Sequence, residues 1–272
     1  MSKTVPAELH THSTHSDGAF DVPRLASALS EAGVRVWALT DHDAVSGCAE
    51  ATELAKALGM RFVPGIEVSA YHQRSVHVLG LGVDVASMDD FEIRRRAQRE
   101  IRMAEMVARL CAIGVEVDMA DVREQTVDGM LTRPHLARAL QKRRVVPTVQ
   151  DAFDHYLAEG RPAYVGETWP SVEEAIDVIH SAGGLAILAH PGIYGLDSSI
   201  SSWIDAGLDG IEVGHPKHTK AQTRAYTRAA DKHKILKTLS SDYHGPATAS
   251  VALGQTQIPE QWLHALLDRL DR

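Results

Sequence analysis

Residues 7–43 read AELHTHSTHSDGAFDVPRLASALSEAGVRVWALTDHD and contain the repeating unit of the fold. A short strand-like run comes first. A helix-like segment follows, with Asp21 at its N-cap, Pro23 in its first turn and Gly33 at its end. The run VRVWALTDHD is a second strand-like segment. The stretch therefore predicts a β-α-β unit whose two strands both end in histidine and aspartate.

The same alternation continues along most of the chain. Strand-like runs recur as MRFVPGIEVSAY, SVHVLGLGV, LAILAHPG, LDGIEVGHP and ILKTLSSDYH, with helix-like segments between most of them. Repeated β-α units predict a parallel sheet with its helices outside. Because about seven strands are expected, the sequence favours an α/β barrel over an open sheet.

The middle of the chain breaks this alternation. Residues 89–165 are almost wholly helical in pattern, and no convincing strand interrupts them. We therefore predict a barrel domain made of residues 1–88 and 166–272, with residues 89–165 as a helical insertion over one mouth. The basic run RRRAQRE is interpreted as a solvated helix face.

The composition limits the classes of function. The chain of 272 residues has a formal net charge of −8, which disfavours a general nucleic-acid or anionic-membrane surface. No stable nucleic-acid partner is expected. A signal peptide and a membrane-spanning run are both missing from the pattern. Two cysteines without metal-site spacing suit a reducing compartment, so a cytoplasmic protein is expected. The sequence leaves the oligomeric state open.

Histidines and carboxylates follow the predicted strands. In a parallel barrel the C-terminal ends of the strands meet at one mouth, so these side chains are expected to be neighbours. On a strand, His10 and His12 would point to the same face. The candidate metal ligands are His10, His12, Asp17, His42, Glu67, His77, His190, Asp242 and His244.

These nitrogen and oxygen ligands exceed what one ion needs. They suit two or three divalent cations such as Mn²⁺, Fe²⁺ or Zn²⁺. Such ions activate water and bind phosphoryl oxygens, so no side chain is expected to be the nucleophile. Singly, His77 could equally be a hydrogen-bonded core residue. Cys48 is interpreted as a small buried hydrophobic residue.

Several stretches, in their order along the chain, resemble the polymerase and histidinol phosphatase (PHP) family: HTHSTHSDG, LTDHD, GIEVS, HVLG, LAHPG and SDYHG. The resemblance covers essentially the whole chain. The runs AIDVIHSAGGLAILAHPG, FDHYLAEGRPAYV and RPHLARAL are similar to a bacterial branch, the TrpH-like phosphoesterases. That branch is associated with removing the 3′-phosphate of nucleoside 3′,5′-bisphosphates and with 5′→3′ trimming of short RNA.

The resemblance implies a distorted (β/α)₇ barrel with a trinuclear metal site. One ion would be bound by His10, His12, Glu67 and Asp242. A second would be bound by Glu67, His77 and His190, with Glu67 bridging, and a third by Asp17, His42 and His244. The resemblance implies Mn²⁺, although the ligand types also admit Fe²⁺ or Zn²⁺.

Two stretches are candidates for substrate binding. LTRPHLARAL places Thr132, Arg133 and His135 around a helix start, where phosphate binding is favourable. VGHPKHTK would place His215, Lys217 and His218 at the same barrel mouth. The alternatives are a helix cap, a surface cation and an exposed basic loop.

The sequence leaves three functions in competition. The first is a metal-dependent phosphatase acting on a nucleotide such as adenosine 3′,5′-bisphosphate, with or without exonuclease activity on short RNA. The second is a histidinol-phosphate phosphatase, which the helical insertion disfavours. The third is a non-catalytic PHP module of a larger polymerase, which the complete ligand set disfavours.

Overall fold

The computed structural model describes residues 3–126, 129–166, 169–246 and 251–272. Its strands are β1 (Thr4–Glu8), β2 (Val36–Leu39), β3 (Arg61–His72), β4 (Arg74–Leu81), β5 (Leu185–Leu188), β6 (Gly210–Gly214), β7 (Leu236–Leu239) and β8 (Gln257–Pro259). They form one eight-stranded sheet in the order β7-β6-β5-β4-β3-β2-β1-β8.

The helices follow the predicted segments. They are α1 (Val22–Glu31), α2 (Cys48–Ala57), α3 (Val85–Ala112), α4 (Met119–Arg123), α5 (Arg133–Lys142), α6 (Val149–Ala152), α7 (Val172–Ser181), α8 (Ile200–Asp205), α9 (Lys220–His233) and α10 (Glu260–Leu270). Asp21 caps α1 as predicted, since its side chain accepts a hydrogen bond from Arg24 N. None of the helices in the described ranges is long and apolar enough to span a membrane.

The sheet curls into a nearly closed barrel, as predicted. The segment after β7 pairs with the segment after β1, and this pairing closes the barrel at its mouth. His12 N donates to Tyr243 O at 2.9 Å, and Tyr243 N donates to His10 O at 3.4 Å. His10 and His12 lie beyond β1, which ends at Glu8, so the predicted position of both within the first strand is wrong. Only Thr11, between the two histidines, makes a bridge to Tyr243.

One strand departs from the parallel arrangement. β4 pairs antiparallel with both β3 and β5. The reason is the connection, since only Gln73, with φ of 61°, separates β3 from β4. A parallel pair needs a crossover of a dozen or more residues, so this junction can form only a hairpin. The reversal puts the N-terminal half of β4, with His77, at the mouth.

The barrel interior is apolar below the mouth. Small and branched side chains from β1 to β5 and from β7 and β8 pack together there, and α10 covers the far end with Leu263 and Leu266. A second apolar layer lies between the sheet and its outer helices. The polar mouth therefore rests on a packed apolar floor.

Residues 103–165 contain a hydrophobic cluster of their own, built from α3 to α6 and the segments around them. The division into a barrel (residues 1–88 and 166–272) and a helical insertion (residues 89–165) stays a prediction. A π-helical turn, Phe153–Leu157, directly follows α6.

A buried ion pair ties α3 to the barrel, so the interpretation of the run RRRAQRE as a solvated helix face is wrong for Arg95 and Arg99. Arg99 on α3 donates from Nη2 at 2.6 Å and from Nε at 3.0 Å to Asp43 Oδ2, beyond the end of β2. Arg95 adds a third contact at 3.4 Å. Burial raises the pKa of Asp43, but Arg99 and Arg95 outweigh it and hold that pKa below its usual range. The carboxylate therefore stays ionised and depends on its cationic partners.

Arg99→Ala should lower the free energy of unfolding by roughly 3 kcal/mol or more, because it leaves the Asp43 carboxylate buried without its main partner. Urea denaturation measures the change. Arg94→Ala, at an exposed position on the same helix, should change the free energy by less than about 0.5 kcal/mol. Equal stability of the two variants would contradict this role for the pair.

Candidate metal centre

Four side chains from three parts of the chain meet at the mouth. His10 Nε2 lies 3.2 Å from both Glu67 Oε2 and Asp242 Oδ1. His12 Nε2 lies at the same 3.2 Å from both oxygens. Two imidazole nitrogens and two carboxylate oxygens thus surround one point, as the ligands of a single cation do.

Glu67 is shared with further histidines. Its Oε2 lies 3.1 Å from His42 Nδ1. Its Oε1 lies 2.9 Å from His77 Nδ1 and 3.0 Å from His190 Nε2. Of these, Glu67, His42 and His77 also place their ligand atoms within 4.8 Å of one another. One carboxylate could therefore bridge two adjacent ions.

A third group forms around Asp17 in the loop after β1. Asp17 Oδ1 lies 3.2 Å from His244 Nε2 and 3.9 Å from His42 Nε2. His12 completes the group, with its Nδ1 4.0 Å from the same oxygen. The structure thus brings together all the side chains predicted as ligands. His15, which is in the same loop, instead lies 3.0 Å from Ser46 Oγ through its Nδ1.

The hydrogen-bonding state of these atoms tests whether cations fit. Several ligand atoms are buried and make no hydrogen bond: His10 Nε2, His12 Nε2, Asp17 Oδ1, His42 Nδ1, Glu67 Oε2, His77 Nδ1 and Asp242 Oδ1. Leaving so many buried polar atoms unsatisfied is costly. Because they face one another across short gaps, divalent cations would satisfy them, and the donor set fits such ions.

The carboxylates and His42 are in protonation states that bind cations. Nearby carboxylates outweigh burial and raise the pKa of His12 to about 10 and those of His10 and His244 above their usual range, so a cation bound there would displace protons. Burial raises the pKa of Glu67, but neighbouring imidazoles, among them His10, outweigh it and hold that pKa well below its usual range. Asp17 and Asp242 are likewise held ionised by neighbouring histidines. Burial lowers the pKa of His42 to about 3, so its ring is neutral. Ionised carboxylates and a neutral imidazole are the forms that bind metal.

Buried carboxylates hold the loops that carry the ligands. Asp41 accepts hydrogen bonds from Ser13 N at 2.8 Å and Ser13 Oγ at 2.7 Å, which fixes the turn between His12 and Asp17. Backbone strain recurs at the strand ends, since His190 has φ of 29° and Asp242 has φ of 53°. Non-glycine residues in this region cost about 1 kcal/mol or more, a cost that functional sites often carry.

Glu212 on β6 is a functional residue that the sequence reasoning missed. Its Oε1 accepts from His10 Nδ1 at 3.2 Å and from Ser240 Oγ at 2.7 Å, and its Oε2 accepts from His190 N at 2.8 Å. Burial raises the pKa of Glu212, but His10 outweighs it and lowers that pKa to about 2. The bond to Nδ1 leaves His10 Nε2 facing Glu67 and Asp242. The one indication of this role in the sequence is that Glu212 is a charged residue within an apolar strand.

Two other side chains orient ligands. Tyr194 Oη lies 2.8 Å from His190 Nδ1 and accepts from His77 N at 2.9 Å. His215 Nε2 lies 3.3 Å from Asp242 Oδ2. His215 was predicted to bind substrate, and the structure places it beside a candidate ligand at the rim.

A cavity of about 190 Å³ opens onto one side of the cluster. Its lining includes the candidate ligands Asp17, His42 and His77. The rest of the lining combines cationic, hydroxyl and aromatic groups: Ser69, Ser75, Arg99, Arg102, Thr132, Arg133, Pro134, Phe153 and Trp169. Two of the predicted substrate residues, Thr132 and Arg133, therefore lie in a cationic cavity that reaches the cluster.

A second cavity of about 280 Å³ lies beside Asp17, Asp242 and His244. It is lined by Arg138, His215 and Lys217 among others. Arg138 Nη2 also donates to Asp17 O at 2.7 Å. Predicted residues from both substrate stretches thus line cavities beside the cluster, and Asp17 and Pro134 line both cavities.

Two predicted substrate residues have partners inside the fold. His135 Nδ1 accepts from Thr132 N at 3.1 Å at the start of α5, and burial lowers its pKa to about 4. His218 Nε2 accepts from Gly192 N at 3.0 Å, and its Nδ1 lies 3.2 Å from Val213 O. Both imidazoles therefore stabilise loops at the mouth, and their contact with a substrate stays a prediction.

The fold and site define a barrel protein with a candidate polynuclear metal centre at one mouth, and the comparisons agree with that class. The PHP domain model matches residues 8–265. The chain is 33% identical over 261 residues to the 3′,5′-nucleoside bisphosphate phosphatase of Chromobacterium violaceum, covering 92% of this chain and 91% of that protein. It is 34% identical over 250 residues to the 5′-3′ exoribonuclease of Haemophilus influenzae, covering 88% and 90%.

A solved structure shows the same fold. A crystal structure from Bifidobacterium adolescentis, named for a metal-dependent phosphoesterase, superposes with a TM-score of 0.90 at 28% identity. The match covers 99% of this chain and 98% of that chain. The chain belongs to the PHP family. Together these matches support a metal-dependent phosphoesterase.

Glu212→Gln should weaken metal binding by about 10- to 100-fold, because a neutral amide no longer fixes the His10 ring as the carboxylate does. Competition with a chromophoric chelator, followed by metal analysis of the recovered protein, measures the change. Glu53→Gln, at an exposed position on α2, is the matched control and should bind metal like the wild type. Unchanged metal affinity in Glu212→Gln would disprove the orienting role.

Proposed function

We propose that the protein is a metal-dependent phosphatase that removes the 3′-phosphate of nucleoside 3′,5′-bisphosphates, for example converting adenosine 3′,5′-bisphosphate to AMP and phosphate. One observation carries the proposal. The unpartnered buried nitrogen and carboxylate atoms of the cluster border a cavity that also contains Arg102, Arg133 and two aromatic rings. Cations beside arginines suit a doubly phosphorylated substrate, and aromatic rings suit its base.

Two or three divalent ions, with Mn²⁺ as the favoured one, are proposed as cofactors. The first would be held by His10, His12, Glu67 and Asp242. The second would be held by Glu67, His77 and His190, and the third by Asp17, His42 and His244. When bound, such ions supply an activated water and bind phosphoryl oxygens. The absence of thiolate among these ligands is why Mn²⁺ or Fe²⁺ is as suitable as Zn²⁺.

The chain's own residues would orient the substrate. Arg133 and Thr132 lie at the start of α5, where backbone N–H groups and the helix dipole favour an anion. A guanidinium at this place could bind the phosphate that is not cleaved. In the second cavity, Lys217 and His215 offer a second cationic contact. His135 and His218, also predicted to bind substrate, would act by holding these loops.

The same site would serve RNA trimming. In a nucleoside 3′,5′-bisphosphate the bond to be hydrolysed joins the 3′-oxygen to phosphorus, and in a 5′-phosphorylated oligonucleotide the equivalent bond joins the first two nucleotides. Hydrolysis of either bond releases a nucleoside 5′-monophosphate. We therefore propose 5′→3′ trimming of short RNA as a second activity, in keeping with the name of the Haemophilus influenzae relative.

An assay panel tests the proposed substrate. With Mn²⁺ supplied, adenosine 3′,5′-bisphosphate and a 5′-phosphorylated trinucleotide should be hydrolysed with larger kcat/KM values than histidinol phosphate or a cyclic phosphodiester. Released phosphate and nucleotides are separated by chromatography. A preference for histidinol phosphate or the cyclic diester would overturn the proposal. No turnover of any of these esters by metal-loaded protein would favour a non-catalytic module.

Asp17→Ala and His77→Ala should each reduce kcat/KM by at least about 10- to 100-fold. Loss of a residue that only supports a metal ligand already has an effect of this size. Both lie at the mouth, above the apolar barrel interior, so the far-ultraviolet circular dichroism spectrum should stay that of the wild type. Steady-state kinetics at saturating Mn²⁺ provide the measurement. Full activity in either variant would count against the assignment.

A further inference from the structure

We propose that Phe153 and Trp169 form the base-binding walls of the cavity beside the metal centre, and that they bind the base by stacking. This inference rests on the proposed function, since it concerns the same nucleotide substrate. Beyond that function, the inference specifies which side chains contact the base and how selective this contact is.

The two rings reach the cavity from separate segments. Phe153 is the first residue of the π-helical turn, and Trp169 lies shortly before α7. Both are half-buried and both line the cavity that contains His42 and His77. π-helical turns occur frequently at functional sites. Two aromatic walls within one small cationic cavity are suited to a planar, anionic ligand.

The arginines fix the rings and set the charge around them. The guanidinium carbon of Arg95 lies 4.2 Å from the centre of the Trp169 ring, and that of Arg99 lies 4.9 Å away. Both arginines are held by Asp43. Arg133 lies 5.9 Å from the centre of the Phe153 ring. Each aromatic ring therefore has a guanidinium over it, so a base stacked on the remaining face of a ring would bring its phosphates near cations.

The remaining lining predicts little discrimination among bases. Among the described residues that line the cavity, none is Asn or Gln, whose amides read adenine edges in pairs. The arginines of the lining could pair with guanine, but we expect them to face the phosphates. Ser69, Ser75 and Thr132 offer only hydroxyls. Stacking tolerates every base because each has a π-face. We expect all four nucleoside 3′,5′-bisphosphates to be hydrolysed, as an enzyme that degrades mixed sequences requires.

The test compares a nucleotide with its abasic analogue. Wild-type protein should show a KM for adenosine 3′,5′-bisphosphate about 5- to 150-fold below that for 1-deoxyribose 3,5-bisphosphate, the range expected when a stacked base is lost. Phe153→Leu and Trp169→Leu should raise the KM for the nucleotide toward that of the analogue. They should leave the KM for the analogue and kcat for both substrates within about threefold. Phe153→Tyr and Trp169→Phe, which keep a ring, should retain the difference.

A matched variant separates stacking from support of the arginines. Tyr164 lies 5.8 Å from the guanidinium carbon of Arg133, as near as Phe153, but approaches it from outside the cavity lining. If Phe153 only holds Arg133, Tyr164→Leu and Phe153→Leu should raise the KM of both substrates alike. If Phe153 stacks on the base, only Phe153→Leu should reduce the difference between the substrates. Leucine keeps apolar volume against the cluster of residues 103–165, and unfolding curves verify that each variant folds.

The outcomes distinguish the two proposals. If wild-type protein hydrolyses the nucleotide and the abasic analogue with equal KM, base stacking is overturned and the proposed phosphatase activity stands. If neither bisphosphate is hydrolysed but another phosphoester is, the proposed function itself is overturned. If the leucine variants raise the KM of both substrates equally, the rings support the cavity and do not bind the base.

Discussion

Glu67 is a fully buried carboxylate at the centre of the mouth, and five imidazoles lie around its two oxygens. Placing such a group in the interior is costly unless positive charge compensates for it. Several of the surrounding nitrogens make no hydrogen bond, so protonation of the imidazoles alone would leave buried polar atoms of the cluster without partners. Divalent cations would satisfy the carboxylate and the imidazoles together. The arrangement of strands around β3 can be understood as the scaffold that holds these groups within reach of Glu67.

Further buried carboxylates act outside the cluster, each on a different part of the mouth. Asp41 holds the turn between His12 and Asp17, and Glu212 joins His10 to the strained backbone of His190. Asp43 binds the arginines of α3 and so holds this helix against the segment that follows β2. The ion pair that supports the fold therefore also positions Arg99 and Trp169 at the cavity. Fold stability and site geometry depend on the same set of buried charges.

Much of the barrel could be predicted because it follows local rules. Cap residues such as Asp21, apolar runs and strand-end histidines are all visible in short windows of sequence. The antiparallel β4 could have been inferred as well, since one residue between β3 and β4 leaves no room for a crossover. The short β8 and the end of β1 at Glu8 depend on pairing with distant segments, which no local pattern specifies. The contacts of Glu212 and Asp43 likewise exist only once remote strands and helices pack. The metal ions, the substrate and the domain boundaries remain proposals.

Anomalous X-ray diffraction from crystals of the protein grown with Mn²⁺ would test the metal centre most directly, because it locates the ions without relying on turnover. Data collected above and below the manganese absorption edge should show an anomalous peak between His10, His12, Glu67 and Asp242, with at least one more on the other side of Glu67 toward His42 and His77. A mouth without anomalous density, from protein that elemental analysis also finds free of transition metal, would contradict the account.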